Sequence, residues 1–162
     1  MPADDGPTEA APPDTGLDPA TFLNDLATTL AGELEEVIGL VDASSFIGQV
    51  GEQLGGAIGQ RYADDRNRLP DDPSRLAEIL VDLKERIGGA FRIETVDRDE
   101  IVLVNTACPF GAQVPGRPSL CMMTTSVFGR IVADAHGYAR VKVEEAIATG
   151  HAGCRVRISL RD

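Results

Sequence analysis

The stretch Gly88-Gly-Ala-Phe91-Arg-Ile93-Glu-Thr95-Val-Asp97-Arg-Asp-Glu100-Ile101-Val-Leu-Val-Asn105 is where the chain changes its period. Before it, Leu76, Ile79, Leu80, Leu83 and Ile87 recur at three- and four-residue spacing, the mark of a helix burying one stripe. Asp72 offers a side-chain N-cap, Pro73 suits the first helical position, and Gly88-Gly89 stops the helix. After the glycines the apolar residues alternate: Phe91, Ile93 and Thr95 point one way, Arg92 and Glu94 the other. Asp97 to Glu100 turn the chain, and Ile101 to Asn105 return it. This is a helix followed by a β-hairpin.

Upstream, Asp18 and Pro19 form a second start signal, and Phe22, Leu23, Leu26, Leu30, Leu34, Val37, Ile38 and Val41 follow at helical spacing. The spacing predicts one amphipathic helix ending near Gly39 or Leu40. Another is expected from about Ser45 to Arg61, with Ile47, Val50, Leu54, Ile58 and Tyr62 on one stripe. Gly51, Gly55 and Gly59 stand four apart in it, and each glycine inside a helix costs about 1 kcal/mol relative to alanine. Such a ridge calls for close approach of another backbone, in a packed helix pair or a homodimer seam, or for clearance around a ligand. It lacks the Lys and Ser/Thr of a phosphate loop.

Downstream, residues 106–118 hold three prolines and two glycines and cannot be regular structure. Ser119 is expected to cap a fourth helix carrying Leu120, Met123, Val127, Ile131 and Ala135 inward, ended by Gly137. A last hairpin pairs Tyr138–Ala146 with Cys154–Leu160, placing Cys154, Val156, Ile158 and Leu160 on the core face. Helices followed by hairpin, helix and hairpin predict an α+β fold, an antiparallel sheet covered by helices.

Residues 1–18 contain four prolines, five acids and no basic residue, and read as a disordered acidic leader before a single domain over 19–162. The leader supplies −5 of the net charge of −11, leaving 15 basic against 21 acidic residues in the rest. No Lys/Arg cluster offers itself to phosphates, which argues against direct nucleic-acid binding. No apolar run approaches the roughly 20 residues needed to cross a bilayer, and there is no secretory signal, so a cytoplasmic protein is expected.

Three cysteines without an export signal read as thiols or metal ligands rather than as a disulfide framework. Cys108 follows a strand, Cys121 falls in the first turn of a helix, and Cys154 opens the last strand. Convergence of the three would make an incomplete tetrahedral set that His151, or else His136, could complete for zinc; an iron–sulfur cluster or a redox switch uses the same atoms. The helix N-terminus is expected to lower the pKa of Cys121 and make it the most reactive thiol. Alternatively all three are small core residues. A nucleophile system of Cys121, His136 or His151 and Asp134 can be drawn, but the apolar Leu120-Cys-Met-Met123 setting reads as a core helix, and no enzyme is expected.

Beyond this reading, Asn105-Thr-Ala-Cys-Pro-Phe-Gly111, Arg117-Pro-Ser-Leu-Cys-Met-Met-Thr-Thr125, Val127-Phe-Gly-Arg-Ile131, Gly137-Tyr-Ala139 and Ile147-Ala-Thr-Gly150 with Gly153-Cys-Arg-Val156 resemble the methanogen output domain family. That family is similar in turn to vinyl-reductase-type ligand-binding domains. The resemblance implies a sensory or output module tied to signalling proteins, an α+β fold, frequent dimerisation, and a metal or small-molecule site at the cysteines. His151 stands where the resemblance implies an acidic residue. With no DNA-binding or kinase sequence in these residues, the module is expected to signal by binding a protein partner. Two other readings stay open: a carrier of an apolar small molecule, and a structural or assembly subunit.

Overall fold

The computed structural model describes residues 14–162, so most of the acidic leader lies outside the described residues. Helix α1 runs Pro19–Gln60, α2 Pro73–Arg86 and α3 Cys121–His136. Strands β1 (Phe91–Val96), β2 (Glu100–Asn105), β3 (Arg140–Glu145) and β4 (Cys154–Ser159) form one antiparallel sheet in the order β1-β2-β4-β3. The α+β class follows the expected order of elements.

Asp18 caps α1 by accepting from the Ala20 and Thr21 N–H groups, and Asp72 caps α2 by accepting from Arg75 N–H at 3.0 Å. The two expected N-terminal helices are two segments of α1, broken at Gly39, whose φ of 83° no other side chain adopts readily. The second segment starts at once, without the loop expected before Ser45. Ser119 does not cap α3. A 3₁₀ turn, Pro118–Leu120, precedes the helix, Leu120 stands at its N-cap position, and the Ser119 N–H donates to Glu35 Oε1 of α1 at 3.0 Å.

The glycine ridge lies against α3. A Cβ on Gly51 would stand 2.8 Å from Ser126 Cβ and 3.1 Å from the Met123 carbonyl, and one on Gly55 2.9 Å from Arg130 Cβ. Gly59 faces Ile131 and Leu69 at 3.5 Å. The missing side chains let α1 and α3 touch backbone to backbone. The apolar residues of the first segment point away from this contact: Thr28, Ala31 and Gly32 are buried, while Phe22, Leu23, Leu26 and Leu30 are exposed.

The main core joins α2, α3 and the inner sheet face. Leu76, Leu80, Ile101, Leu103, Phe128, Ile131 and Ile158 are wholly buried, and Phe91 meets Phe128 edge to face at 5.8 Å. The outer sheet face is charged. Arg155 bridges Glu94 and Glu144, and Arg157 bridges Glu144 and Glu100, so these ion pairs link all four strands across the sheet.

Candidate functional site

The pairing of β2 with β4 joins the two hairpins and sets Asn105 opposite Cys154. The Cys154 N–H donates to Asn105 Oδ1 at 2.7 Å, and Asn105 Nδ2 donates to the Ala107 carbonyl at 3.0 Å. Asn105 thereby holds both the start of β4 and the first turn of the segment carrying Cys108. Gly153 permits the approach, since a Cβ there would collide with the Asn105 carbonyl oxygen at 2.2 Å.

Cys108, Cys121 and Cys154 therefore converge from a loop, a helix start and a strand start on the wall of one cavity of about 30 Å³. Its other walls are mainly apolar: Phe91, Phe110, Val114, Leu120, Val143 and Val156. The Cys154 sulfur accepts from Ile147 N–H at 3.4 Å. A larger groove, of about 720 Å³, lies by the α1–α2 connection and contains none of the cysteines.

Burial governs two of the thiols, Cys108 and Cys121. Cys121 is pushed up to about 11 by burial, with Cys154 and Cys108 adding in the same direction. Cys108 is also raised, chiefly by burial. Cys121 is therefore not the acidic thiol expected from its place at the start of α3, because burial disfavours its thiolate.

Behind Phe91 and Thr124 lies a group the sequence reading passed over. Lys84 is 4 % exposed, donates to Thr124 Oγ1 at 2.6 Å, and holds its Nζ 5.7 Å and 5.2 Å from the ring centroids of Phe91 and Phe128. No carboxylate pairs with it among the described residues. Burial pulls it down to about 8, while Cys108, Cys154 and Cys121 act the other way, which places the ammonium within electrostatic reach of all three sulfurs. The available signal was spacing: Lys84 falls four residues after Leu80 and seven after Ala77, on the buried face.

His151 does not join the walls. It is exposed, with Nδ1 3.3 Å from both the Ala146 carbonyl and Thr149 Oγ1. His136 stands elsewhere, against the Asp71 carbonyl at 3.1 Å. Among the described residues no three His, Cys, Asp or Glu side chains stand close enough to hold a metal ion. The cysteines as placed do not fit zinc or a cluster without moving inward.

The segment from Cys108 to Arg117 forms the outer wall and is tied to α1. Gln113 sits between Thr28 and Asp25: the Thr28 hydroxyl donates to Gln113 Oε1, and Gln113 Nε2 donates to Asp25 Oδ1, both at 2.5 Å. Asn24 Nδ2 donates to the Phe110 carbonyl at 3.4 Å. Phe110 and Val114 face the cavity while Gln113 faces the helix, so one loop touches both. Gly111 and Gly116, at φ of 62° and 79°, bracket it.

The family model of methanogen output domain 1 matches residues 26–159 of this chain. Among solved structures, the chain is similar to the phenol-responsive sensory domain of the transcription activator PoxR with phenol. The TM-score is 0.63 at 15 % identity, covering 84 % of this chain and 73 % of that one, a likeness of fold. No curated protein matches.

Proposed function

This chain belongs to the methanogen output domain 1 family, and on that premise we propose that it is a sensor–output module. It takes a small, largely apolar molecule into the cysteine-lined cavity and passes the change through α1 to a protein partner. The observation that carries this reading is the loop of residues 108–117, which walls the cavity on one side and is hydrogen-bonded to α1 on the other. The walls are apolar and Cys108 and Cys121 are held as neutral thiols, so the pocket favours an uncharged body. At about 30 Å³ the closed cavity suits one water-sized guest. An organic ligand enters by displacing the loop, and that displacement is the signal. The shared fold with a phenol-responsive sensory domain supports the same use of the scaffold.

A second reading has one observation in its favour. The buried ammonium of Lys84 would offset the net negative charge of three thiolates around a thiophilic ion, once the sulfurs had moved together.

Thermal unfolding of the full chain with phenol and with small aliphatic alcohols tests the first reading. A ligand that binds the folded state raises Tm. Val143→Phe, which fills the cavity, should abolish the rise. No rise with any of these probes, or a rise that survives Val143→Phe, would contradict the reading.

A further inference from the structure

Thr124 is where the buried ammonium meets the cavity. It lines the wall, and its hydroxyl oxygen accepts from Lys84 Nζ at 2.6 Å. An ammonium has only donors to give, so the Thr124 oxygen is the acceptor of this pair and its own proton is left to donate. Among the described residues no acceptor receives that proton, whereas the neighbouring Thr125 hydroxyl donates to the Cys121 carbonyl at 3.1 Å. The other polar side chain of the wall, Asn105, is engaged by the Cys154 N–H and the Ala107 carbonyl. The inner wall therefore presents one hydroxyl donor with a positive charge directly behind it.

That charge lacks a counter-ion. Lys84 enters no ion pair among the described residues, and its Nζ rests over the rings of Phe91 and Phe128, the first of which is itself on the wall. Cys108 and Cys121 do not supply the missing charge, because burial keeps them as neutral thiols. An uncompensated buried ammonium is costly, and an anion placed beside it interacts more strongly there than it would in water.

We propose that the guest of this cavity is a small apolar monocarboxylate, whose head group accepts from the Thr124 hydroxyl and pairs with the Lys84 ammonium behind it. The proposal rests on the reading of the cavity as a ligand site and adds the head group to it. Carboxylate and ammonium neutralise each other, so the remainder of the molecule meets Val114, Leu120, Val143 and Val156 as an uncharged body. A carboxylate offers acceptors only, which matches the donors that Thr124 and Lys84 present. An alcohol of the same skeleton satisfies Thr124 and leaves the ammonium unpaired, so the site selects against it. A dicarboxylate or a phosphate brings more negative charge than one ammonium offsets, against walls that are otherwise apolar.

Isothermal titration calorimetry of the full chain at neutral pH with hexanoate, benzoate, hexanol and phenol tests it. The two carboxylates should bind at least about tenfold more tightly than the two hydroxyl compounds. In Lys84→Met that advantage should disappear, with unchanged far-ultraviolet circular dichroism. Thr124→Val, which keeps the shape of the side chain, should reduce the advantage and carries the test if Lys84→Met does not fold. Val143→Phe should abolish carboxylate binding, which separates the cavity from the surface cations. Carboxylates bound no better than the hydroxyl compounds, or an advantage that survives Lys84→Met or Val143→Phe, would overturn the inference. Hexanol or phenol binding without carboxylate binding would do the same while leaving the cavity a ligand site; no binding by any of the four probes would sink both.

Discussion

Asn105 and Cys154, 49 positions apart, are joined at 2.7 Å through the Asn105 side chain and the Cys154 backbone N–H. This bond closes the end of the β2–β4 ladder and, through the Ala107 carbonyl, turns the chain toward Cys108. It is the point at which two hairpins become one sheet and two of the three thiols become neighbours of one cavity.

Replacing Asn105 by Ala leaves the half-buried Cys154 N–H without its side-chain partner, while the Ala107 carbonyl keeps only the Ala90 N–H at 3.3 Å, at a cost of about 1–2 kcal/mol. Urea denaturation should show that loss. Cys108 should also react faster with a thiol reagent under native conditions, because its loop loses its anchor.

Lys84 sets a pH dependence of stability. Below about 8 the ammonium is charged in both states and desolvated only in the folded one, so the folding penalty is complete. Above the ordinary lysine range neither state is charged and the penalty vanishes. Between the two the unfolded chain binds more protons, and stability rises with pH. Cys121 opposes this: its folded-state pKa of about 11 means stability is lost as pH rises above the ordinary thiol value. Lys84→Met removes the first effect and leaves the second. It should stabilise the protein at pH 7 by on the order of 2 kcal/mol and make stability fall steadily through the alkaline range. A less stable variant at neutral pH would show that the ammonium is well compensated where it lies.

The glycine ridge is graded. Gly51→Ala and Gly55→Ala drive a Cβ to within 3.1 Å of α3 backbone and should cost about 1–3 kcal/mol. At Gly48 the nearest group is the Ser126 hydroxyl at 3.3 Å, so the helix-propensity gain of about 1 kcal/mol should leave Gly48→Ala close to neutral. Thermal denaturation of the three variants checks the order.

Gln113→Ala removes the two Gln113 bonds between loop and α1, leaving the longer Asn24–Phe110 bond, and keeps the cavity walls intact. Stability should fall by about 1 kcal/mol or less, yet alkylation of Cys108 should accelerate several-fold. Hydrogen exchange should also increase over residues 24–36 of α1. An unchanged exchange pattern would mean that the loop and the helix move independently.

Local period made much of this legible from the sequence. The stripe of α2, the Gly88-Gly89 stop and the alternation of β1 and β2 are short-range patterns, and all are present. The break at Gly39 was legible for the same reason. What the sequence could not express was long-range: the β2–β4 pairing that links Asn105 to Cys154 has no local signature. The amphipathic pattern of α1 shows an apolar side but not that small Thr28, Ala31 and Gly32 form the buried one. Cys121 was read from its helix position alone, and its surroundings reversed the expected pKa. Lys84 was hidden by its type, since lysine on a helix is ordinarily solvated.

Native mass spectrometry of the full chain, purified without dialysis or chelator beside Val143→Phe and Cys121→Ser, addresses the cavity most directly. A small organic mass retained by the wild type and lost from Val143→Phe is the predicted result. A bare wild-type chain, or a metal-ion increment that disappears with Cys121→Ser, would contradict it.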